Sequence, residues 1–181
     1  SSMSALIHKL GQDLNLLSDG YRFAWIVDYP MFEYDKNSNN LTSLHHPFTS
    51  PADLDSDNFD DNTLSRAYDL TLNGNEIGGG SVRIHSKSIQ MSVFNSLGLT
   101  DDEINNKFGF FLEALDYGCP PHAGIAFGLD RIIMILQDLS SIRDSIAFPK
   151  TQSSACLLTD APSEISNDQL RELSIKTNKL K

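Results

Sequence analysis

The sequence has 181 residues, 40% hydrophobic and 21% charged, with a formal net charge of −10. This is the profile of a soluble globular domain, large enough to bury a core without help from disulfides or a metal. No apolar run approaches the ~20 residues of a membrane span, Ser1-Ser2-Met3-Ser4 lacks the pattern of a secretory signal, and the acidic balance argues against a broad phosphate-binding surface.

Ala5, Leu6, Leu10, Leu14 and Leu17 fall near helical spacing, which predicts a helix over residues 5–17 that ends at Ser18-Asp19-Gly20. Arg22 to Val27 reads as a strand with apolar residues on both faces, hence covered on both, and Asp28-Tyr29-Pro30 terminates it. Residues 35–63 are rich in Asp, Asn, Ser and Pro and read as loop, with an island at Leu44-His45-His46-Pro47-Phe48. Residues 66–85 form a hairpin around Asn73-Gly74, the dipeptide that supplies the positive φ angles of a type I′ turn. A helix follows with both ends marked: Thr100 and Glu103 at capping-box spacing, an apolar stripe of Ile104, Phe108, Phe111, Leu112 and Leu115, and Gly118 before Pro120-Pro121. Residues 123–128 read as a strand, Leu129 to Gln137 as a helix apolar enough all round to be buried, and a last amphipathic helix carries Leu170, Leu173 and Leu180. Cys119 and Cys156 lie outside any CxxC spacing and read as free thiols of a cytoplasmic protein. A hairpin among helices, without regular βαβ units, predicts an α+β fold: an antiparallel sheet flanked by helices.

Four groups of residues carry possible chemistry. With a two-residue turn at Asn73-Gly74, Thr71 pairs with Glu76 and Asp69 with Gly78, so Asp69 and Glu76 share a face on a cross-strand diagonal. Positions so related are about 7–8 Å apart. Two such carboxylates repel unless a cation lies between them or one keeps its proton. Magnesium takes one or two carboxylates plus substrate phosphates, so the pair could hold Mg-ATP; the alternative is two exposed acids on a solvated hairpin. Next, Gly78-Gly79-Gly80 interrupts a strand and calls for a bulge or a close approach. Strict alternation would put Arg83 opposite Glu76, whereas a bulge within the glycines returns both to one face. Arg83 would then be available to bind a carboxylate through two parallel hydrogen bonds instead of serving as a surface charge. His45 and His46 are adjacent, and on an extended chain they would point in opposite directions; they read either as loop packing or as a pair closing over an anion. Last, Gly124-Ile125-Ala126-Phe127-Gly128-Leu129-Asp130-Arg131 takes a strand of small residues into a helix whose first turn carries Arg131. Such a helix start favours phosphate, although a buried corner with Arg131 paired to an acid would read the same. The spacing is neither that of a Rossmann fingerprint nor of a P-loop.

As a set, these words resemble class II aminoacyl-tRNA synthetases. Gly124 to Arg131 looks like their motif 3. Leu44-His45-His46-Pro47-Phe48-Thr49-Ser50-Pro51, Tyr68-Asp69 through Gly78-Gly79-Gly80-Ser81-Val82-Arg83-Ile84-His85, and Ile142-Arg143-Asp144 through Ala147-Phe148-Pro149-Lys150-Thr151 resemble the aspartyl enzymes of bacterial type. The resemblance implies residues 20–181 as the C-terminal part of a class II catalytic domain and residues 1–19 as a linker helix returning from an inserted domain. It implies that His45 and His46 contact aspartate, that Arg83 grips its side-chain carboxylate, and that Glu76 with Asp69 binds ATP through Mg2+. Gly128, Leu129, Asp130 and Arg131 would line the ATP site, with Arg131 on the triphosphate and, with Glu76, acting in catalysis.

The reaction implied is ATP-dependent formation of aspartyl-adenylate and transfer of the aspartyl group to the 3′ end of tRNA(Asp), with tRNA(Asn) left open as a second acceptor. The whole enzyme would be a cytoplasmic homodimer that needs no membrane. Motifs 1 and 2 and the anticodon-binding domain find no match, so the 181 residues are expected to be a fragment, inactive alone. The alternatives are a related ligase for asparagine or lysine, and a non-catalytic paralogue that binds nucleotide or amino acid.

Overall fold

A computed structural model describes residues 2–36, 40–54 and 58–178, in two compact units, Ser1–Gly128 and Leu129–Lys181. The first unit opens with helix α1 (Ser2–Asp13), which stops four residues short of the predicted end. Strands β1 (Phe23–Ile26), β4 (Ala67–Leu72), β5 (Asn75–Val82) and β6 (Ala123–Phe127) form an antiparallel sheet in the order β1-β4-β5-β6. A separate hairpin pairs β2 (Phe32–Asp35) with β3 (Asn40–Ser43). The expected α+β class is thus the observed one.

The β4–β5 turn forms because Asn73 and Gly74 both accept positive φ, 49° and 79°. The Asn73 amide then fastens the turn to the chain entering β1: Arg22 donates its N–H to Oδ1 (2.8 Å) and Nδ2 donates to the Gly20 carbonyl (3.2 Å). Thr71 pairs with Glu76 as expected, but Leu70 pairs with Gly78 and Asp69 with Gly79. One residue of β5, Ile77, therefore has no partner on β4. The bulge falls one step before the glycines; Gly78, Gly79 and Gly80 themselves continue in regular register against both β4 and β6. This corrects the expected Asp69–Gly78 pair and the expected position of the bulge.

Helices α2 (Lys87–Ser96) and α3 (Asp101–Asp116) follow β5 and pack against each other. The capping box at the start of α3 is made in full: Glu103 donates its N–H to the Thr100 hydroxyl and returns its carboxylate to the Thr100 N–H. Those donors hold the Glu103 carboxyl below its ordinary pKa, the Thr100 N–H contributing most. Thr100→Ala removes the cap, and a thermal melt should record a loss of about 1 kcal/mol. Ile104, Leu112 and Leu115 of α3 join Phe94 of α2 in one buried cluster, against which Phe48, Phe108 and Phe111 pack. A second cluster holds Met31, Phe32, Phe59, Ile84 and Val93.

One face of the sheet stays exposed. Phe23, Trp25 and Phe127 are each more than half exposed, so the expectation that β1 is covered on both faces is not met. Alternation specified an apolar strand, but coverage depends on what packs against it, and β1 is an edge strand.

The second unit contains α4 (Leu129–Leu136), a 3₁₀ turn (Ile142–Ser145) and α5 (Asn167–Glu172). No residue of α4 is buried, against the expected buried helix, because an apolar surround needs a partner surface and this unit offers little. The last helix ends before Leu173, its C-cap, and Leu180 lies outside the described residues. Cys119 and Cys156 are free thiols.

Candidate active site

β4, β5 and the loop after β3 surround an open cavity of about 360 Å³ lined by His45, His46, Asp69, Glu76 and Arg83, together with Ala67, Thr49, Gly79, Gly80, Ser81 and Ala126. The bulge explains the grouping. In a regular strand Glu76 and Arg83, seven apart, face opposite ways. The extra residue at Ile77 restores them to one side, which Gly79 and Ser81 share.

The acidic end is shaped by Gly79. A Cβ at that position would lie 2.5 Å from Asp69 Oδ1 and 3.5 Å from Glu76 Oε1, so both carboxylates approach the space that the missing side chain leaves. Asp69 Oδ2 accepts a 2.6 Å hydrogen bond from the Tyr29 hydroxyl. Burial, that bond, and the charges of Asp69 and Glu76 push the Tyr29 phenol up to about 12, so it is a proton donor throughout the physiological range. Among the described residues no group of three His, Cys, Asp or Glu side chains converges as a metal site. Two hard carboxylates around a vacated Cβ position nonetheless fit a cation that completes its shell from a phosphate-bearing ligand, as magnesium does.

The basic end is built around Arg83. Its Nη1 donates to Ser81 Oγ at 2.7 Å and lies against His46 Nε2. Ser81 in turn accepts from the buried Thr49 hydroxyl at 3.3 Å. Among the described residues Arg83 makes no ion pair. A half-buried guanidinium held only by neutral acceptors retains most of its capacity for a carboxylate. Burial first, then the charge of Arg83, then His45, lower the His46 pKa and keep its imidazole neutral beside that cation.

The two histidines do not point apart, as an extended chain would require: both line the cavity, because residues 44–48 bend and turn instead of forming a strand. Phe48 anchors that bend. Its ring meets Phe94, Phe108 and Phe111 edge-on, with centroids 6.3, 5.8 and 5.1 Å away, so the apolar core fixes the loop that presents His45 and His46. The His45 ring rests edge-on against Tyr29 at 5.1 Å.

Gly128 ends the first unit with its N–H on the Ile77 carbonyl (2.8 Å), while Leu129, Asp130 and Arg131 open α4 in the second. The cavity is thus formed by the first unit, and these three residues belong to a separate body. Tyr29, Thr49 and Ser81 were not singled out from the sequence. Ser81 could have been, since it lies two residues before Arg83 on the same strand face; Tyr29 reads only as the residue ahead of a strand-ending proline.

Residues 7–152 match the family of class II tRNA synthetases (D, K and N). The chain belongs to this family. Among its relatives, the aspartate–tRNA(Asp/Asn) ligase of Legionella pneumophila strain Corby is 54% identical over 178 residues, 97% of this chain and 30% of the relative. The aspartate–tRNA ligase of Xylella fastidiosa is 52% identical over 183 residues, 98% of this chain and 31% of the relative. This class II synthetase chain therefore spans about 30% of the length of the curated relatives it matches. Solved structures share the fold: aspartyl-tRNA synthetase of Entamoeba histolytica, with a TM-score of 0.55 at 24% identity, covering 83% of this chain and 26% of that one, and asparaginyl-tRNA synthetase of Pyrococcus horikoshii, with a TM-score of 0.53 at 22% identity, covering 73% and 27%. These place the antiparallel sheet and its helices in the class II synthetase fold.

Proposed function

We propose that this class II synthetase chain forms part of an aspartate–tRNA ligase, and that its cavity holds L-aspartate beside ATP. The observation that carries the reading is the division of the cavity into two ends. One presents Arg83, which makes no ion pair among the described residues, and the other presents the paired acids Asp69 and Glu76. Arg83 takes the side-chain carboxylate of aspartate, and His45 and His46, fixed by Phe48, contact the amino acid. Asparagine would offer its NH₂ donor to a donor-only guanidinium, and such a polar mismatch can reach about 10⁴-fold discrimination.

Asp69 and Glu76 would hold Mg2+, which when bound neutralises phosphate charge. Gly128, Leu129 and Asp130 would line the ATP site and Arg131 would meet the triphosphate, by likeness to motif 3. The α-carboxylate of aspartate attacks the α-phosphorus of ATP, forming the aspartyl-adenylate anhydride and releasing pyrophosphate. The 3′-terminal ribose of tRNA then takes the aspartyl group and releases AMP. Neither step needs a nucleophile from the protein, so its contribution is positioning and charge stabilisation. The same proposal includes residues 1–19 as the link from an inserted domain, and a cytoplasmic homodimer as the whole enzyme.

ATP–pyrophosphate exchange by the full-length protein tests this with aspartate, asparagine and lysine in turn. Exchange should depend on aspartate; dependence on asparagine or lysine, or no exchange at all, rejects the reading. Aspartylation of tRNA(Asn) as well as tRNA(Asp) would match the name borne by the Legionella relative.

A further inference from the structure

We infer that Tyr29 is a positioning residue of this site, which turns the Asp69 carboxylate toward Glu76 through its phenol hydroxyl. The inference rests on the proposed metal-binding role of Asp69 and Glu76. Asp69 has two oxygens, and the structure separates their tasks. Oδ2 receives the Tyr29 hydroxyl at 2.6 Å. Oδ1 is the oxygen nearest the vacated Cβ position of Gly79, where Glu76 Oε1 also approaches. An aspartate in β4 without that bond could rotate about χ2 and present either oxygen, or swing away from a second carboxylate that repels it. Fixing Oδ2 with a donor removes that freedom. Hydrogen bonds to a charged acceptor are short and strong, as this one is.

Tyr29 itself is held from three sides. Its carbonyl accepts from both the Ser65 N–H (2.7 Å) and the Ser65 hydroxyl (3.1 Å), and Ser65 is buried. Asp28 before it takes a positive φ of 59°, which Asp tolerates better than most residues and which turns the chain out of β1. The Tyr29 ring meets His45 edge-on at 5.1 Å. One side chain therefore serves both ends of the cavity with different parts: the ring packs on a histidine of the amino-acid end, and the hydroxyl acts on the acids.

The two parts can be separated. In the full-length protein, Tyr29→Phe keeps the ring and deletes the hydroxyl, and the measurements are Mn2+ binding in the presence of ATP, followed by electron paramagnetic resonance, and the KM for aspartate in pyrophosphate exchange. The Mn2+ dissociation constant should rise about tenfold, the scale of one lost hydrogen bond to a charged group, while the aspartate KM stays within about twofold of wild type, the scatter expected of an untouched contact. Asp69→Asn should weaken Mn2+ binding by itself, and adding Tyr29→Phe to it should have little further effect, since the hydroxyl acts through that carboxylate. Unchanged Mn2+ binding in Tyr29→Phe beside a weakened Asp69→Asn would overturn this inference alone. Effects that multiply in the double variant would also overturn it, by showing that Tyr29 acts independently of Asp69. An Asp69→Asn variant that binds Mn2+ as wild type would sink the metal-site reading and this inference with it.

Discussion

Arg83→Ala in the full-length protein is expected to lower kcat/KM for aspartate about 10³-fold while leaving the KM for ATP within about threefold. The size follows from the partners. Among the described residues the guanidinium makes no ion pair; it rests on Ser81 Oγ and the neutral His46. Removing it therefore strands no acid of the protein, and the loss falls on the ligand's carboxylate. The separation of effects follows from distance. Arg83 lies four residues beyond Gly79, the position the two acids flank, or roughly 13 Å along an extended chain. Lysine should not rescue the activity, because a point charge on a flexible stem cannot reproduce two parallel hydrogen bonds. Steady-state exchange kinetics in each substrate check this, and equal losses for aspartate and ATP would contradict the assignment of Arg83.

The largest effect on stability is expected at Gly80. A Cβ there would overlap the Gly124 carbonyl oxygen and lie 2.8 Å from the Gly124 carbonyl carbon and 2.9 Å from Ile125 Cα. These are backbone atoms of β6, which cannot turn aside as a side chain can. Gly80→Ala must push β6 away from β5 or break their pairing, at a cost of about 3 kcal/mol. Urea unfolding of the two glycine variants gives the comparison, since a Cβ on Gly124 would meet nothing within 4 Å and Gly124→Ala should be nearly silent. A Gly80→Ala variant as stable as Gly124→Ala would show that the two strands separate more easily than their register implies.

The parts of the fold legible in the sequence are those set by local chemistry. Asn73-Gly74 specifies its turn because few other dipeptides accept two positive φ angles, and Thr100 with Glu103 marks a helix start through a reciprocal pair of hydrogen bonds. The acids Asp69 and Glu76 were placed on one face from the turn alone. Features decided by distant contacts were not legible. The β2–β3 hairpin lies within a polar stretch, and its burial depends on Phe32 joining Ile84 and Val93 from far along the chain. Helix α2 follows an N-cap residue, Ser86, that makes no side-chain cap, and it buries Gln90, whose amide donates to the Pro47 carbonyl at 2.8 Å; neither fact leaves an amphipathic signature. The glycines correctly signalled an irregular strand but misplaced it. They are there for close approach to Phe127, Asp69 and Gly124, while the residue that slips the register is the apolar, buried Ile77.

That slip changes what kind of mutation the site can survive. At most positions of a strand the identity of the side chain is what selection sees, and the number of residues is free to drift only in the loops. At Ile77, which has no partner on β4, the number is free as well. Any apolar residue of similar volume would keep the buried contact, so substitution there is cheap. Losing the codon altogether would remove the bulge and leave Glu76 six residues from Arg83, an even spacing that keeps the two on one face because side chains alternate. A comparison of homologous genes should therefore find this position variable in letter and tolerant of a one-residue gap, which would leave the two acids together because the Asn73-Gly74 turn sets their pairing.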